Sequence, residues 1–241
     1  MKILLTMAGM GSRFKTAGYQ EEKYEIQFRG HSLLEWSLAS LANFREFELV
    51  LITRDFAGIR EYASECAGSI GFAKYQIIVL ESMTKGQAET AALAAPAFDE
   101  DESILIFNTD TFIDPQFLHP KDMRGEGWVP TFSAPGDKWS FAEADEYGRV
   151  SRMTEKVRIS DHCSVGLYYF SSFHRFYELA REANFEKELF VAPLYNPWIE
   201  MGHETYIHQL PANSVTVLGT PEDLEQANSK GLPVWPENFL N

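Results

Sequence analysis

The most constraining feature is an apolar run that empties into a glycine turn. Ile3-Leu4-Leu5-Thr6-Met7 leads straight into Ala8-Gly9-Met10-Gly11-Ser12-Arg13-Phe14, and Lys23 follows nine residues later. A strand ending in a glycine-rich turn presents backbone N–H groups without Cβ obstruction, which suits the oxygens of a phosphate chain. Arg13 and Lys23 place fixed positive charge beside those oxygens. The expectation is a triphosphate-binding loop built from Ala8, Gly9, Met10, Gly11, Ser12 and Arg13.

Two common phosphate motifs do not fit. The dinucleotide fingerprint needs a third glycine where Phe14 stands, and the Walker loop needs a Gly-Lys-Ser/Thr that the chain does not supply. The pattern resembles the nucleotidyltransferases that make nucleoside-diphosphate sugars: strand, Gly-x-Gly-Ser-Arg-Phe, a loop with Gly18-Tyr19, then lysine. That family usually carries proline on each side of the lysine. Here Glu22 and Tyr24 occupy those places, so proline's fixed φ is not what holds this loop. The altered flanks resemble a branch associated with capsule and other surface-polysaccharide biosynthesis.

At 241 residues, with 45% hydrophobic and 23% charged residues, the chain suits a soluble globular protein with a substantial core. A net charge of −14 argues against a nucleic-acid partner, because no basic stripe offsets phosphate repulsion. Anionic substrates would then need a divalent metal and local cations to reverse the field in their cleft. Cys66 and Cys163 read as buried thiols, not as a disulfide framework. With no signal-peptide pattern and no run of membrane-spanning length, the expected compartment is the cytoplasm and no membrane is expected as a partner.

Strands and helices alternate through the first half. Leu34, Leu38 and Leu41 recur at helical spacing, 47–53 reads as a strand, and 58–71 contains a helix. Tyr75 to Leu80 reads as the next strand, Ala88 to Ala95 as a helix stopped by Pro96, and Ser103 to Asn108 as a buried strand. This cadence indicates a parallel sheet with crossover helices. After Trp128 come short β segments: 128–134, 140–144, 149–155 and 164–170, with a hairpin turn at Asp145-Glu146-Tyr147-Gly148. Helices return at Phe173 to Phe185, around Val191 to Met201, and after Pro221. The expected fold class is α/β: one domain, 1–241, with a mixed, mostly parallel central sheet flanked by helices. It would be Rossmann-like, with the family's GT-A-type architecture, a nucleotide-binding half at 1–127 and an acceptor-binding half at 128–241.

Asn108-Thr109-Asp110 closes a buried strand, which puts Asp110 at the carboxyl edge of a parallel sheet, where ligands bind. Magnesium takes oxygen ligands and usually only one or two carboxylates. The resemblance implies that Asp110 is a metal ligand and that Asp223, in Gly219-Thr220-Pro221-Glu222-Asp223, is the second. The same segment also reads as a helix start, with Thr220 as N-cap and Pro221 following it. Gln87, in Gly86-Gln87-Ala88, can read a nucleobase edge, and the family has a similar segment near the base. Glu155-Lys156 and Gly166 resemble the family's acceptor pocket, where a glutamate accepts from hydroxyls and a glycine admits the ligand closely. Glu188, Tyr195 and Asn196 could complete that pocket or could simply be packing residues. The histidines show no metal-ligand spacing, and no covalent nucleophile is indicated.

Together these imply direct nucleotidyl transfer: an NTP, pyrimidine favoured, and a small phosphorylated acceptor react with Mg2+ and release pyrophosphate. Arg13 and Lys23 are the expected catalytic cations. Two rival readings are a metal-dependent glycosyltransferase, which would not need the Gly9 to Arg13 loop, and a non-catalytic nucleotide sensor.

Overall fold

The computed structural model describes residues 1–100, 102–183 and 188–240. Among them, ten strands join in one mixed sheet flanked by helices. The first four are β1 (Lys2–Met7), β2 (Glu48–Arg54), β3 (Tyr75–Leu80) and β4 (Ile104–Phe107). They lie side by side in the order β4-β1-β2-β3, all parallel. Their carboxyl ends therefore share one edge, and both the glycine loop after β1 and Asp110 after β4 emerge there.

Alternation along these strands divides the core into two. Ile3, Leu5, Leu49, Leu51, Leu105 and Phe107 face α2 (Leu33–Ala39) and α3 (Ile59–Ile70). Leu4, Val50, Ile52, Ile104 and Ile106 face the side that carries α4 (Gln87–Ala92), α5 (Phe173–Glu182) and α6 (Tyr195–Glu200). Each of these strand residues is fully buried, contributing about 1.5–3 kcal/mol per side chain. Continuous apolar runs are the signature of strands covered on both faces.

The remaining strands are β5 (Gly127–Phe132), β6 (Ser140–Ala144), β7 (Val150–Glu155), β8 (Cys163–Ser164), β9 (Leu167–Phe170) and β10 (Thr205–Gln209). They continue the sheet beyond β4, with β9 antiparallel to β4 and to β5, and β10 parallel to β5. The β6–β7 hairpin turns where expected: the Asp145 carboxylate accepts from the amides of Tyr147 and Arg149, and Gly148 has φ +81°.

Several local expectations change. The segment 164–170 is two strands, because pairing with β5 slips by two residues between Ser164 and Tyr169. Gly166, at φ +82°, forms the break. The alanine-rich helix ends at Ala92, and Pro96 sits inside a separate 3-10 turn, Ala95–Ala97. Leu41 lies beyond the end of α2. The helix expected to reach Phe185 ends at Glu182, and Phe185 itself lies outside the described residues. The 191–201 segment is a 3-10 turn, Ala192–Leu194, followed by α6. Cys66 and Cys163 are free and buried, and burial pushes the Cys66 thiol up to about 11. No helix among the described residues is long and apolar enough to cross a membrane.

Candidate active site

The carboxyl edge of the parallel strands opens into a cavity of about 530 Å³. Its wall carries Ala8, Gly9, Arg13, Lys23, Gln87, Asp110, Glu155, Lys156, Gly166, Glu188 and Asp223. Residues spread across more than two hundred positions thus meet at one place. Met10, Gly11 and Ser12, expected in the same loop, do not line it. Gly11 sits at φ +62° and opens α1 (Ser12–Thr16); a Cβ on it would stand 3.0 Å from Lys23 Cβ. Glycine is needed there for the left-handed turn and for the close passage of the lysine stem.

Side-chain bonds secure the Lys23 loop, which has Glu22 and Tyr24 in the places expected for proline. The Glu22 carboxylate accepts from Lys15 Nζ at 3.2 Å and pairs with the Arg54 guanidinium at the end of β2. The Glu25 carboxylate also accepts from the Glu22 amide at 3.2 Å, and the Glu25 amide donates to the Glu22 carbonyl at 2.9 Å. Tyr24 is buried beside the Phe56 ring, and the Tyr62 hydroxyl donates to its carbonyl at 3.0 Å. Lys23 is thereby held so that its Nζ donates to Asp110 Oδ2 at 2.8 Å.

Asp223 reaches the same cavity through a short ribbon. Thr111–Ile113 pairs antiparallel with Val215–Val217, and the Leu218 amide donates to the Asp110 carbonyl at 2.7 Å. The chain then enters α7 (Pro221–Ser229), whose N-cap Thr220 Oγ1 accepts from the Asp223 amide at 3.1 Å. The helix-start role and a cavity-facing carboxylate therefore coexist in Asp223. Its Oδ1 accepts from Lys138 Nζ at 2.9 Å.

Gln87 stands at the head of α4. The single Thr6 hydroxyl proton goes to the Phe107 carbonyl at 3.2 Å, so Thr6 Oγ1 must accept from Gln87 Nε2, 3.1 Å away. Among the described residues the Gln87 carbonyl and its second N–H have no hydrogen-bond partner, and Gln87 lines the cavity. The loop before α4 is stitched to the loop carrying Glu188: Ala88 N donates to the Leu189 carbonyl at 2.9 Å, and Leu189 N to the Lys85 carbonyl at 3.1 Å. A Cβ on Gly86 would lie 2.5 Å from that Leu189 oxygen, a backbone atom that cannot step aside. Gly86→Ala is therefore expected to cost about 1–3 kcal/mol in urea unfolding, as overpacking does, and to weaken binding on both sides of the cavity. An unchanged unfolding midpoint would mean the two loops are not locked together.

At the far end, the Glu155 carboxylate accepts from the Ser140 hydroxyl, which in turn accepts from Tyr168 at 3.2 Å. Burial holds the Glu155 carboxyl above the ordinary range and pushes the Tyr168 phenol up to about 12. Lys156 has φ +56°, a left-handed conformation costly for a lysine. That geometry sets its ammonium 4.3 Å from the Phe190 ring centroid, 3.8 Å from Glu155 and 3.9 Å from Glu188. Gly166 lines the cavity, but the close approach it permits is by Asn108, whose side chain fills the place of a Cβ. Tyr195 and Asn196 are packing residues. The Tyr195 hydroxyl donates to the Tyr169 carbonyl at 2.7 Å, and Asn196 bonds the Met153 amide and carbonyl at 2.8 and 2.9 Å.

A family model described as nucleotidyl transferase matches residues 2–232. The chain belongs to the nucleotidyl transferase family. Among solved structures it is 34% identical to the nucleoside-diphosphate-sugar pyrophosphorylase from Vibrio cholerae RC9, with a TM-score of 0.85 over 93% of this chain and 98% of that one. The inositol-1-phosphate CTP transferase from T. maritima shares the fold at 15% identity, with a TM-score of 0.76 over 97% of this chain and 98% of that one. No curated protein sequence matches.

For a nucleotidyl transferase the charge balance of the cavity is telling. Among the described residues its wall carries five cations, Arg13, Lys23, Lys85, Lys138 and Lys156, against four acids, Asp110, Glu155, Glu188 and Asp223. In a chain of net charge −14, the wall is thus close to charge balance and far less acidic than the protein as a whole. The donor set of Asp110 and Asp223 suits a hard divalent cation, since both offer carboxylate oxygens. Gly219 leaves room for one: a Cβ there would stand 3.3 Å from Asp110 Oδ2. Lys138, Ser140 and Phe190 were not anticipated from sequence. Each lies in a loop or strand without a motif, and only the folded sheet brings them to the cavity.

Proposed function

We propose that this nucleotidyl transferase joins an NTP to a sugar 1-phosphate or similar small phosphate monoester, with residues 1–127 holding the nucleotide and 128–241 the acceptor. The observation that carries the reading is the single cavity in which the glycine loop, Arg13, Lys23 and Asp110 meet Glu155, Lys156 and Asp223. An acceptor phosphate oxygen attacks the α-phosphorus; that P–O bond forms as the bond to the β-phosphate bridge breaks, and pyrophosphate leaves. The attacking oxygen is already an anion, so no general base is required, and catalysis is positioning and charge neutralisation. Arg13 and the loop amides take the charge of the departing pyrophosphate. Lys23 neutralises charge at the α-phosphate. Asp110 and Asp223 would hold Mg2+, which supplies further neutralisation there when bound. Glu155 accepts from acceptor hydroxyls, and Lys156 faces the acceptor's negative charge.

The base is a pyrimidine, CTP before UTP, read by the free carbonyl and N–H of Gln87. The one support from a similar fold is the T. maritima CTP transferase, whose nucleotide is a pyrimidine. The enzyme is cytoplasmic, and its product serves surface-polysaccharide synthesis, a reading that rests on Glu22 and Tyr24 in place of the usual prolines. The test is a screen of the four NTPs and dTTP against hexose 1-phosphates, phosphocholine and other small phosphate monoesters, following released pyrophosphate. Turnover with a pyrimidine nucleotide is the expected result. Preference for ATP or GTP would refute the base assignment alone, and NTP binding without turnover across the panel would favour a sensor.

A further inference from the structure

Both candidate metal carboxylates are met by lysines from elsewhere in the chain. Lys23 on Asp110 belongs to the recognised loop, but Lys138 on Asp223 belongs to no motif. Lys138 projects from the loop between β5 and β6, beside Trp139, whose ring centroid lies 4.9 Å from its Nζ. The Asp223 side chain is only 10% exposed while that of Lys138 is 56% exposed. A nearly buried carboxylate needs a cation beside it, whereas an exposed ammonium loses little on leaving. Asp223 therefore keeps one place for positive charge, and either Lys138 or a divalent cation can fill it. Lys138 also has somewhere to go. It lines the main cavity and a second one of about 530 Å³, and its pair with Asp223 forms part of the wall that both share.

Resting on the nucleotidyl-transfer reading, we infer that Lys138 is a substrate-binding residue: it competes with a divalent cation for Asp223 and moves to the acceptor's phosphate when the cation takes that place. The exchange couples the two ligands. An ammonium released from Asp223 stays on the wall of the cavity that also carries Glu155 and Lys156, the acceptor side of the proposed reaction. Lysine suits this duty, being a compact charge on a flexible stem.

The test uses the intact protein without nucleotide, so that it reads binding and not turnover. Mn2+ alone is titrated into the parent and Lys138→Met, with free Mn2+ followed by electron paramagnetic resonance. Lys138→Met is expected to bind Mn2+ about fivefold more tightly, the scale of one exposed ion pair removed. Inorganic phosphate is then titrated calorimetrically into the Mn2+-loaded proteins. The parent is expected to bind it about tenfold more tightly than Lys138→Met, with Lys138→Arg close to the parent. Unchanged Mn2+ affinity would overturn the exchange, and unchanged phosphate affinity would overturn the phosphate contact. A substrate screen that yields no pyrophosphate would count against the proposed reaction and leave both binding results standing.

Discussion

Lys23→Ala is expected to lower kcat/KM by two or more orders of magnitude while the protein still folds. The lysine sits 2.8 Å from Asp110 on a loop fixed by Glu22, Arg54 and buried Tyr24. On the proposed reaction its ammonium neutralises charge at the α-phosphate, and one such preorganised donor is worth about 3 kcal/mol. Arg13→Ala should lose a similar amount, because it removes fixed charge from the same wall. Neither change removes a core hydrophobic: Arg13 is exposed, and Lys23 sits in the cavity wall. Steady-state pyrophosphate release, with thermal melting as the control for folding, decides the matter. If either variant kept near-parental kcat/KM, the glycine loop would not be the triphosphate cradle.

How far the sequence speaks depends on whether a feature is local. Tyr75–Leu80 and Ser140–Ala144 match the strands read from sequence, because continuous apolar runs and turn residues are local signals. The Thr220 cap and the Asp145 turn are legible for the same reason. The bulge at Gly166 is not, since it arises from pairing with β5 and from the Asn108 side chain lodged against it. Nor is the device that secures Lys23. A missing proline is visible in the sequence, but the Arg54 that pairs with Glu22 lies 32 residues away on another strand. Tyr195 and Asn196 have the chemistry of ligand-binding residues and spend it on backbone groups. Lys138 shows the reverse case, an ordinary loop lysine that the sheet delivers to a carboxylate 85 residues away.

The carboxylates separate the two halves of the metal reading, and Asp110→Asn is expected to be the more damaging substitution. Asp110 follows β4, its carbonyl accepts from Leu218, and Gly219 sets no side chain against its Oδ2, which Lys23 holds at 2.8 Å. Losing its charge removes a seat for the cation and also the partner that orients Lys23, so two parts of the site fail together. A loss of about a thousandfold or more follows, corresponding to several kcal/mol of charge stabilisation. Asp223→Asn keeps its helix, because the Thr220 cap bonds the backbone amide at 223 and not the side chain. Its weaker carboxylate-to-dipole contribution is worth about 0.3–1 kcal/mol and will not unfold α7. It gives up one cation ligand but leaves Asp110 and Lys23 paired, so the expected loss is about ten- to a hundredfold. Raising Mg2+ should recover part of that loss and none of the loss in Asp110→Asn. The measurement is pyrophosphate release across a Mg2+ series, repeated with a chelator on the parent protein. Equal parental activity with and without the chelator would sink the metal role of both residues, and the cavity's lysines would then have to carry the neutralisation alone.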